Sequence, residues 1–266
     1  MSKVGIIAGA GEFPIILVRK CLQKGLSPVV VAISEEASPV LDEVVDGVFW
    51  QSVGKVGKIF KHLRKEGVTE AIVAGKVHKM RIFRDFQPDL TAMRLLWSLR
   101  NRKDDTIMNK VADALAEEGI TLIPQTTFME DYIPRAKVFT KRKPTDDERV
   151  DIDFGASVAT EMGRLDIGQT VVVKRGAVMA IEAIEGTDQA ILRGGSLGNR
   201  DVVVVKVAKP DQDQRFDIPA IGLGTVKACL DGGARVLAFE AGKTFFFQQE
   251  EAVEMADRND MSIVAF

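Results

Sequence analysis

The chain has few of the residues that hold zinc or form disulfides. Its 266 residues include two cysteines and two histidines. Cys21 and Cys229 lie far apart in apolar surroundings, which favours buried free thiols and a reducing, cytoplasmic compartment. Neither His62 nor His78 belongs to a cluster of metal ligands, and no CxxC motif is present. A zinc hydrolase is therefore not expected.

The chain also lacks an excess of charge and a long apolar segment. Its 36 basic and 38 acidic residues give a net charge of -2, which argues against a general nucleic-acid-binding protein. The apolar run in the opening MSKVGIIAGAGEFP is short and broken by glycines. It predicts a first β-strand and neither a signal peptide nor a membrane span. No G-x-S-x-G motif occurs, so a serine hydrolase is not expected either.

Alternating strand and helix patterns predict an α/β fold. In the amino-terminal half, strands are predicted at 3–8, 28–33, 46–50, 70–74 and near 121–123. Helices are predicted between them at 13–24, 55–65, 89–100 and 105–118. Strands that alternate with helices in this way form a mainly parallel sheet with right-handed crossovers. We therefore expect residues 1–135 to be a Rossmann-like domain.

The carboxy-terminal half predicts a second, mixed α/β domain over residues 151–266. It contains a hairpin at 170–183, an apolar strand at 201–208, further strands at 235–239 and 262–265, and helices at 223–230 and 250–258. The adjacent aromatics Phe245, Phe246 and Phe247 favour a buried strand over an acyl groove. Dense mixed charge and weak hydrophobic periodicity predict that residues 136–150 are a linker between the two domains.

Glycines follow two of the predicted amino-terminal strands. Residues 9–11 (GAG) form a turn that lets backbone N–H groups approach a phosphate or nucleotide. Gly75 and Lys76 follow another strand, and the carboxyl ends of parallel strands share one edge, so both segments are expected to line one crevice. Lys76 either faces a diphosphate or caps a strand at the surface. A tight turn without a ligand also remains open.

A nicotinamide site is an alternative use of the same turn. Glu35 and Glu36 lie near the end of the second strand, where a ribose-binding acid stands in dinucleotide-binding proteins. However, Pro14 occupies the position of the third glycine in the GxGxxG fingerprint. This departure counts against a nicotinamide-dependent oxidoreductase.

Residues 182–222 combine carboxylates and cations in glycine- and proline-marked turns. Carboxylate oxygens hold a hard divalent cation, and Lys or Arg neutralises phosphate oxygens, so this mixture is typical of a site for a phosphate ester. Asp217 is the first candidate for metal binding or for positioning water, although it could also satisfy backbone donors at a turn. Asp188 offers metal oxygen, or it stabilises the first turn of a helix that Thr187 caps. Lys206 either takes part or points to solvent.

Six motifs carry a family resemblance. They are GIIAGAGEFP (5–14), AGKV (74–77), DIGQ (166–169), EGTD (185–188), KPDQDQRFDIPAIG (209–222) and FEAG (239–242). Together they resemble the metal-dependent UDP-2,3-diacylglucosamine pyrophosphatases of lipid A biosynthesis, a type unrelated to the calcineurin-like phosphoesterases. The resemblance spans nearly the whole chain, and the long KPxQDxRxD run is its most specific part.

The resemblance implies hydrolysis of UDP-2,3-diacylglucosamine to UMP and 2,3-diacylglucosamine 1-phosphate with Mg²⁺, or Mn²⁺ in its place. The first domain would bind the uridine nucleotide, and the second would be catalytic and lipid-binding. It further implies a homodimer, transient contact with the cytoplasmic face of the inner membrane and no nucleic-acid partner. A non-catalytic protein that binds sugar nucleotides is the remaining rival.

The residues and the resemblance together indicate a set of site residues. Asp217 and Asp188 are expected to be catalytic and to bind the metal, with Asp213 as a third ligand. The expected substrate contacts are Gly9, Ala10, Gly11, Phe13, Gly75, Lys76, Asp104, Gln169, Thr187, Lys209, Gln212 and Arg215. Asp104 is also a good helix N-cap. The chain departs from the family pattern at Lys103, where a glycine is usual, and at His78.

Overall fold

The computed structural model describes residues 2–77, 87–98 and 104–266. The chain divides into two compact units. The first unit comprises Met1–Glu130 and Asp213–Asp217, and the second comprises Asp131–Gln212 and Ile218–Phe266. Five residues from the carboxy-terminal half therefore belong to the amino-terminal unit.

The first unit is built on a parallel sheet. Its described strands are β1 (Lys3–Ala8), β2 (Ser27–Ile33), β3 (Phe49–Gln51), β4 (Glu70–Ala74) and β5 (Thr121–Leu122). They lie in the order β3-β2-β1-β4-β5, and every neighbouring pair is parallel. The strands consist largely of β-branched apolar residues, as expected where helices cover both faces. The predicted parallel sheet is confirmed.

Helices connect these strands. They are α1 (Phe13–Gln23), α2 (Leu41–Val44), α3 (Val56–Lys65), α4 (Leu90–Ser98) and α5 (Asp104–Glu117). In α3 the side chains of Ile59, Phe60 and Leu63 are buried, because their spacing places them on one face of the helix. They pack with Leu115 of α5 in the core of this unit. The predicted helix at 89–100 ends outside the described residues, and the short α2 was not predicted.

The second unit contains a mixed sheet. Its strands are β6 (Lys137–Val138), β7 (Thr170–Lys174), β8 (Ala177–Ile181), β9 (Val202–Lys206), β11 (Ala234–Phe239) and β13 (Ser262–Ala265), in the order β6-β13-β11-β9-β7-β8. β9, β11 and β13 are parallel, whereas β7 is antiparallel to both β8 and β9. The carboxyl ends of β8, β9, β11 and β13 therefore share one edge, here called the carboxyl edge. β10 (Ala220–Ile221) and β12 (Phe245–Phe246) form a separate parallel pair.

Helices cover both faces of this sheet. They are α6 (Asp146–Arg164), α7 (Thr187–Leu197), α8 (Leu223–Asp231) and α9 (Gln249–Arg258), and a 3₁₀ turn lies at Glu130–Tyr132. Side chains alternate along β9, so that Val202 and Val204 pack against α7, α8 and α9 while Val203 and Val205 pack against α6. Lys206, the next residue of β9, therefore points to the face of α7.

The predicted linker at 136–150 is wrong. Residues 137–138 form β6, which pairs antiparallel with β13, and α6 begins at Asp146. Thr145 and Glu148 form a capping box: the Thr145 hydroxyl accepts from the Glu148 N–H at 3.3 Å, and the Glu148 carboxylate accepts from the Thr145 N–H at 2.8 Å. The acidic residues that suggested a solvated linker instead stabilise the start of a helix. The boundary between the units follows Glu130 instead of residue 135.

Other expectations about burial are confirmed. Phe245, Phe246 and Phe247 are buried, as a core strand requires. Cys21 and Cys229 are buried free thiols, and burial raises the pKa of both. Among the residues that the structure describes, no helix combines the length and apolar character needed to cross a membrane.

Candidate active site

The two glycine-marked segments of the first unit meet at the carboxyl ends of β1 and β4. The Gly9 N–H donates to the Ala74 carbonyl at 2.8 Å. The Ala10 N–H donates to the Lys76 carbonyl at 2.7 Å, and the Lys76 N–H donates to the Ala10 carbonyl at 3.0 Å. The sheet order changes direction between β1 and β4, which is where open α/β sheets bind ligands. The two segments are thus joined by a backbone bridge between Ala10 and Lys76, and a ligand crevice at this place stays a prediction.

Close backbone approach explains the glycines in this crevice. A Cβ atom on Gly9 would lie 2.5 Å from the Lys76 carbonyl oxygen, and one on Gly75 would lie 2.4 Å from the Ala10 oxygen. Gly75 also has a φ of +85°, which non-glycine residues rarely adopt. At Gly11 a Cβ would face open space, and Phe13 begins α1 two residues later. Apart from Asp104 and Arg215, the predicted contacts in this unit therefore lie in or next to these two paired segments.

Glu35, the acid proposed for a nicotinamide ribose, has another role in this structure. Its carboxylate accepts from the Ser52 hydroxyl at 2.5 Å and from the Val53 N–H at 3.3 Å. It thereby fixes the loop after β3. Pro14 stands in the first turn of α1, where N–H groups have no partner within the helix, so the missing N–H of proline costs no hydrogen bond. Both observations weigh against the nicotinamide alternative.

The remaining predicted residue of this region, Asp104, is the first residue of α5. An acidic residue at this end of a helix is favoured by the helix dipole. Lys103 and His78 lie outside the described residues.

Residues 213–217 belong to the first unit because they are tied to it by hydrogen bonds. The Gln125 N–H donates to the Gln214 carbonyl at 2.8 Å. The Arg215 guanidinium donates to Asn109 Oδ1 of α5 at 2.8 Å. Phe216 is buried, and Arg215 stacks over its ring at 5.2 Å.

Within this segment, Asp213 and Arg215 form a bidentate ion pair. Arg215 Nη2 lies 2.7 Å from Asp213 Oδ2, its Nε lies 3.0 Å from Oδ1, and the Arg215 backbone N–H donates to the same Oδ1 at 2.9 Å. The hydrogen bonds from Arg215 lower the pKa of Asp213, and the same contact raises the pKa of Arg215. Both oxygens of Asp213 are thus engaged by Arg215, and its role as a metal ligand stays a prediction.

Asp217 is exposed and has a φ of +61°. Non-glycine residues in this left-handed region cost about 1 kcal/mol, and aspartate and asparagine tolerate it best. Such backbone conformations cluster at functional sites, where the surrounding structure fixes them. Asp217 therefore has the exposure and the fixed geometry that its predicted role requires.

A second cluster lies at the carboxyl edge of the second unit and is centred on Glu182, which follows β8. Glu182 Oε1 accepts from the Thr187 hydroxyl at 2.8 Å, and Oε2 accepts from the Gln169 N–H at 3.3 Å. Lys206, at the end of β9, donates from Nζ to the Thr187 hydroxyl at 2.8 Å. One carboxylate therefore contacts two of the predicted substrate residues.

Lys206 is only 6% exposed, which excludes the second of the two alternatives, that it points to solvent. Burial by itself raises the pKa of Glu182, but the Lys206 charge and the hydrogen bonds from Thr170, Thr187 and Gln169 outweigh it and leave the pKa below its usual range. The carboxylate is therefore ionised at neutral pH. Lys206 is buried and Glu182 is partly buried, and such charged groups are stable only when they are hydrogen-bonded, as both are here.

Thr187 and Asp188 begin α7, but Thr187 does not cap it. Gly186 is the N-cap, with a φ of +84°, and it has no side chain that could cap the helix. The Thr187 hydroxyl instead accepts a hydrogen bond from Lys206 and donates one to Glu182. Asp188 is exposed in the first turn, where the helix dipole favours a carboxylate.

The neighbouring predicted contacts Lys209, Gln212 and Gln169 also lie in this unit. Lys209 Nζ forms a 2.7 Å ion pair with Asp166, which belongs to the DIGQ motif. The Gln212 N–H donates to the Lys209 carbonyl at 3.1 Å, so the two residues share one turn. The side-chain oxygen Oε1 of Gln169 is buried and has no hydrogen-bond partner among the described residues. A buried unpartnered acceptor costs about 1–3 kcal/mol, which indicates a place for a donor from a ligand.

Magnesium binding stays a prediction, and its expected carboxylates, Asp217 and Asp188, belong to the first and the second unit. In the part of the chain that the structure describes, no group of three His, Cys, Asp or Glu side chains is placed to hold a metal. A closed zinc site needs such a group. Mg²⁺ instead uses one or two carboxylates, waters and substrate phosphates, and Asp188 and Asp217 are exposed carboxylates of that kind.

Sequence reasoning missed Glu182 as a site residue and left Lys206 undecided. The signal for Lys206 was its position as the last residue of a strand of four consecutive valines, which predicts burial on both faces. The signal for Glu182 was a carboxylate directly after a strand, four residues before a glycine that begins a helix. Only the pairing of β7 with β8 and β9 brings Glu182 and Lys206 together at Thr187.

Comparison with known proteins matches both halves of the chain to one family. Residues 3–132 match the domain described as the LpxI N-terminal domain, and residues 135–264 match the LpxI C-terminal domain. A protein of Caulobacter vibrioides named UDP-2,3-diacylglucosamine pyrophosphatase LpxI is 34% identical over 269 residues. The alignment covers 97% of this chain and 95% of that protein.

Proposed function

Because this chain belongs to the LpxI family, we propose that it hydrolyses the diphosphate bond of UDP-2,3-diacylglucosamine. The products are UMP and 2,3-diacylglucosamine 1-phosphate, and the reaction belongs to lipid A biosynthesis. The observation that carries this proposal is the 34% identity with the Caulobacter pyrophosphatase over 97% of the chain.

Asp217 and Asp188 are the proposed catalytic carboxylates. Asp217 would orient the attacking water or hold the metal, and Asp188 would be a further oxygen ligand. A bound Mg²⁺, or Mn²⁺ in its place, would neutralise phosphate charge and polarise the phosphorus. The exposed carboxylates of both residues, and the left-handed backbone of Asp217, support these roles.

Basic side chains would stabilise the charge that develops on the diphosphate during attack. Arg215 is the strongest candidate, because its ion pair with Asp213 and its hydrogen bond to Asn109 fix the guanidinium plane in advance. Lys209 and Lys76 are proposed as additional contacts. Asp213 then acts first by holding Arg215, whether or not it also binds the metal.

The first unit is proposed to bind the uridine end of the substrate. Its strand order β3-β2-β1-β4-β5 is that of the first five strands of a Rossmann sheet, which supports a Rossmann-like nucleotide site. The turn at Gly9–Gly11 and the segment Gly75–Lys76 stand at the ligand-binding end of that sheet.

The acyl chains of the substrate imply a reaction at the cytoplasmic face of the inner membrane, which is also part of the proposal. Exposed aliphatic side chains in the turns at the carboxyl edge support such contact: Leu165 is 69% exposed and Ile184 is 93% exposed. The buried free thiols are compatible with a reducing compartment. A homodimer is proposed from the family resemblance alone.

Release of UMP from UDP-2,3-diacylglucosamine tests the proposal. We expect release with Mg²⁺, loss of release with EDTA, and loss in Asp217→Asn despite a normal fold. The absence of UMP from the folded wild-type protein with any divalent metal would refute the assignment and favour a protein that only binds sugar nucleotides.

A further inference from the structure

The hydroxyl of Thr187 has a fixed hydrogen-bond direction. Glu182 is ionised and can only accept, so the Thr187 O–H must donate to it over the observed 2.8 Å. The Lys206 ammonium can only donate, so it uses one lone pair of the same oxygen, also at 2.8 Å. Only acceptor capacity remains on Thr187 Oγ1 for a ligand.

Gln169 presents an acceptor in the same cluster. Its backbone N–H donates to Glu182 at 3.3 Å, and its buried side-chain oxygen has no partner among the described residues. The Glu182 N–H donates to the carbonyl of the adjacent Thr170 at 2.8 Å, so the backbones of the two strands are also held together. The hydrogen-bonding capacity that remains on Thr187 Oγ1 and Gln169 Oε1 is that of acceptors, which suits a ligand that carries N–H or O–H groups. It does not suit a phosphate oxygen.

The proposed substrate carries such donors on its uridine, which is proposed to bind the first unit, and on its sugar. A 2,3-diacylated glucosamine carries an amide N–H at position 2 and free hydroxyls at positions 4 and 6. Its diphosphate carries acceptors alone at neutral pH. We propose that Glu182 and Lys206 are positioning residues that hold Gln169 and Thr187 as hydrogen-bond acceptors for the glucosamine ring. This inference rests on the proposed function and assigns the sugar, and not the diphosphate, to this cluster.

Kinetic constants of four single variants and one double variant test the positioning role once UMP release by the wild-type protein has been measured. We expect Glu182→Gln and Thr187→Val each to raise KM about 10-fold with a smaller change in kcat, because a recognition contact is lost before the chemical step. Thr187→Ser keeps the hydroxyl and should stay within about twofold of the wild-type KM. The Glu182→Gln/Thr187→Val double variant should resemble either single variant, since both remove the same contact.

Glu148→Gln is the matched control. Glu148 forms a partly buried ion pair in the second unit, with Arg142 at 2.7 Å. Its pKa is also lowered, although burial alone would raise it. Arg142 contacts Ser262 at the amino end of β13, so this pair lies at the edge opposite to the carboxyl edge. The variant should lose stability yet keep the wild-type KM. An equal rise in KM for Glu148→Gln and Glu182→Gln would overturn the positioning role.

Substrate analogues test the acceptor role. Three analogues each remove one donor: a 4-deoxy sugar, a 6-deoxy sugar, and a sugar whose 2-amide is replaced by an ester. At least one should show a KM about 10-fold higher with the wild-type protein, and this penalty should shrink to about twofold in Glu182→Gln. If all three behave like the substrate with the wild-type protein, the cluster does not accept hydrogen bonds from the sugar. Failure of the wild-type protein to release UMP would instead refute the proposed function.

Discussion

Two glycines of the first unit share a left-handed backbone but differ in their surroundings. Alanine substitution at each should separate the cost of backbone strain from the cost of steric overlap. Gly75 has a φ of +85° and Gly25 a φ of +73°. A Cβ on Gly25 would meet nothing within 4 Å, whereas a Cβ on Gly75 would lie 2.4 Å from the Ala10 oxygen and 3.0 Å from Pro14 Cγ. Gly25→Ala therefore reports backbone strain alone, and Gly75→Ala reports strain and overlap.

The expected destabilisation follows from these two terms. Placing alanine in the left-handed region costs about 1 kcal/mol at both positions. Overlap with a fixed backbone oxygen adds about 2 kcal/mol at Gly75, because the carbonyl cannot rotate away without breaking the pairing of Ala10 with Lys76. With a urea dependence of about 2 kcal/mol per molar, the midpoint should fall by about 0.5 M for Gly25→Ala and about 1.5 M for Gly75→Ala.

Tryptophan fluorescence makes the measurement specific to this unit. Both tryptophans of the chain, Trp50 and Trp97, belong to the first unit. The Trp50 indole N–H donates to Asp42 at 3.0 Å, so unfolding changes its environment. We also expect weaker UMP binding for Gly75→Ala and unchanged binding for Gly25→Ala. Equal urea midpoints for the two variants would refute the close approach of the two segments as the reason for Gly75.

Three further predictions follow from the sites described above. Asp217→Asn should slow UMP release at least about 100-fold, while the free energy of unfolding stays within about 0.5 kcal/mol of the wild-type value. Asp217→Ala should destabilise the fold by about 1 kcal/mol more than Asp217→Asn. Normal turnover in either variant would contradict the catalytic role. Because the folded-state pKa of Glu182 is lowered, its contribution to stability is present above its unfolded pKa and is lost as the pH falls through the folded pKa. Urea titrations should therefore show that the stability difference between the wild type and Glu182→Gln shrinks below about pH 4. A difference that grows on acidification would contradict the stabilisation of the Glu182 carboxylate by Lys206 and its hydrogen bonds. Ile184→Glu should reduce binding to anionic phospholipid vesicles several-fold. Leu197 lies at the other end of α7 and is 65% exposed, and Leu197→Glu should leave vesicle binding unchanged. Equal binding of both variants would remove Ile184 from the proposed membrane contact.

Local patterns predicted most of the first unit. Apolar runs of five to seven residues, each followed by a glycine or a helical stripe, locate β1, β2 and β4 within one residue of their observed bounds. The meeting of Gly9 with Gly75 was also predictable, because parallel strands place their carboxyl ends at one edge. These features depend on short-range order and on a general rule of sheet topology.

Features that depend on tertiary pairing could not be predicted in the same way. The segment 136–150 was assigned as a linker because its charges resemble a solvated segment, although T-x-x-E at Thr145 is a readable capping signal. The burial of Lys206 and its bond to Thr187 result from the register of β9 with β7, which one sequence does not reveal. The assignment of Asp217 to the first unit likewise rests on contacts made across the chain.

That last assignment affects how the protein folds during synthesis. The first unit needs Asp213–Asp217, and Gln125 finds the Gln214 carbonyl only after residue 214 has left the ribosome. At about 5–20 residues per second, the stretch from residue 131 to residue 217 takes roughly 4 to 17 s to synthesise. A fragment that ends at Glu130 would therefore remain incomplete, and in the growing chain the first unit must wait through most of the translation of the second.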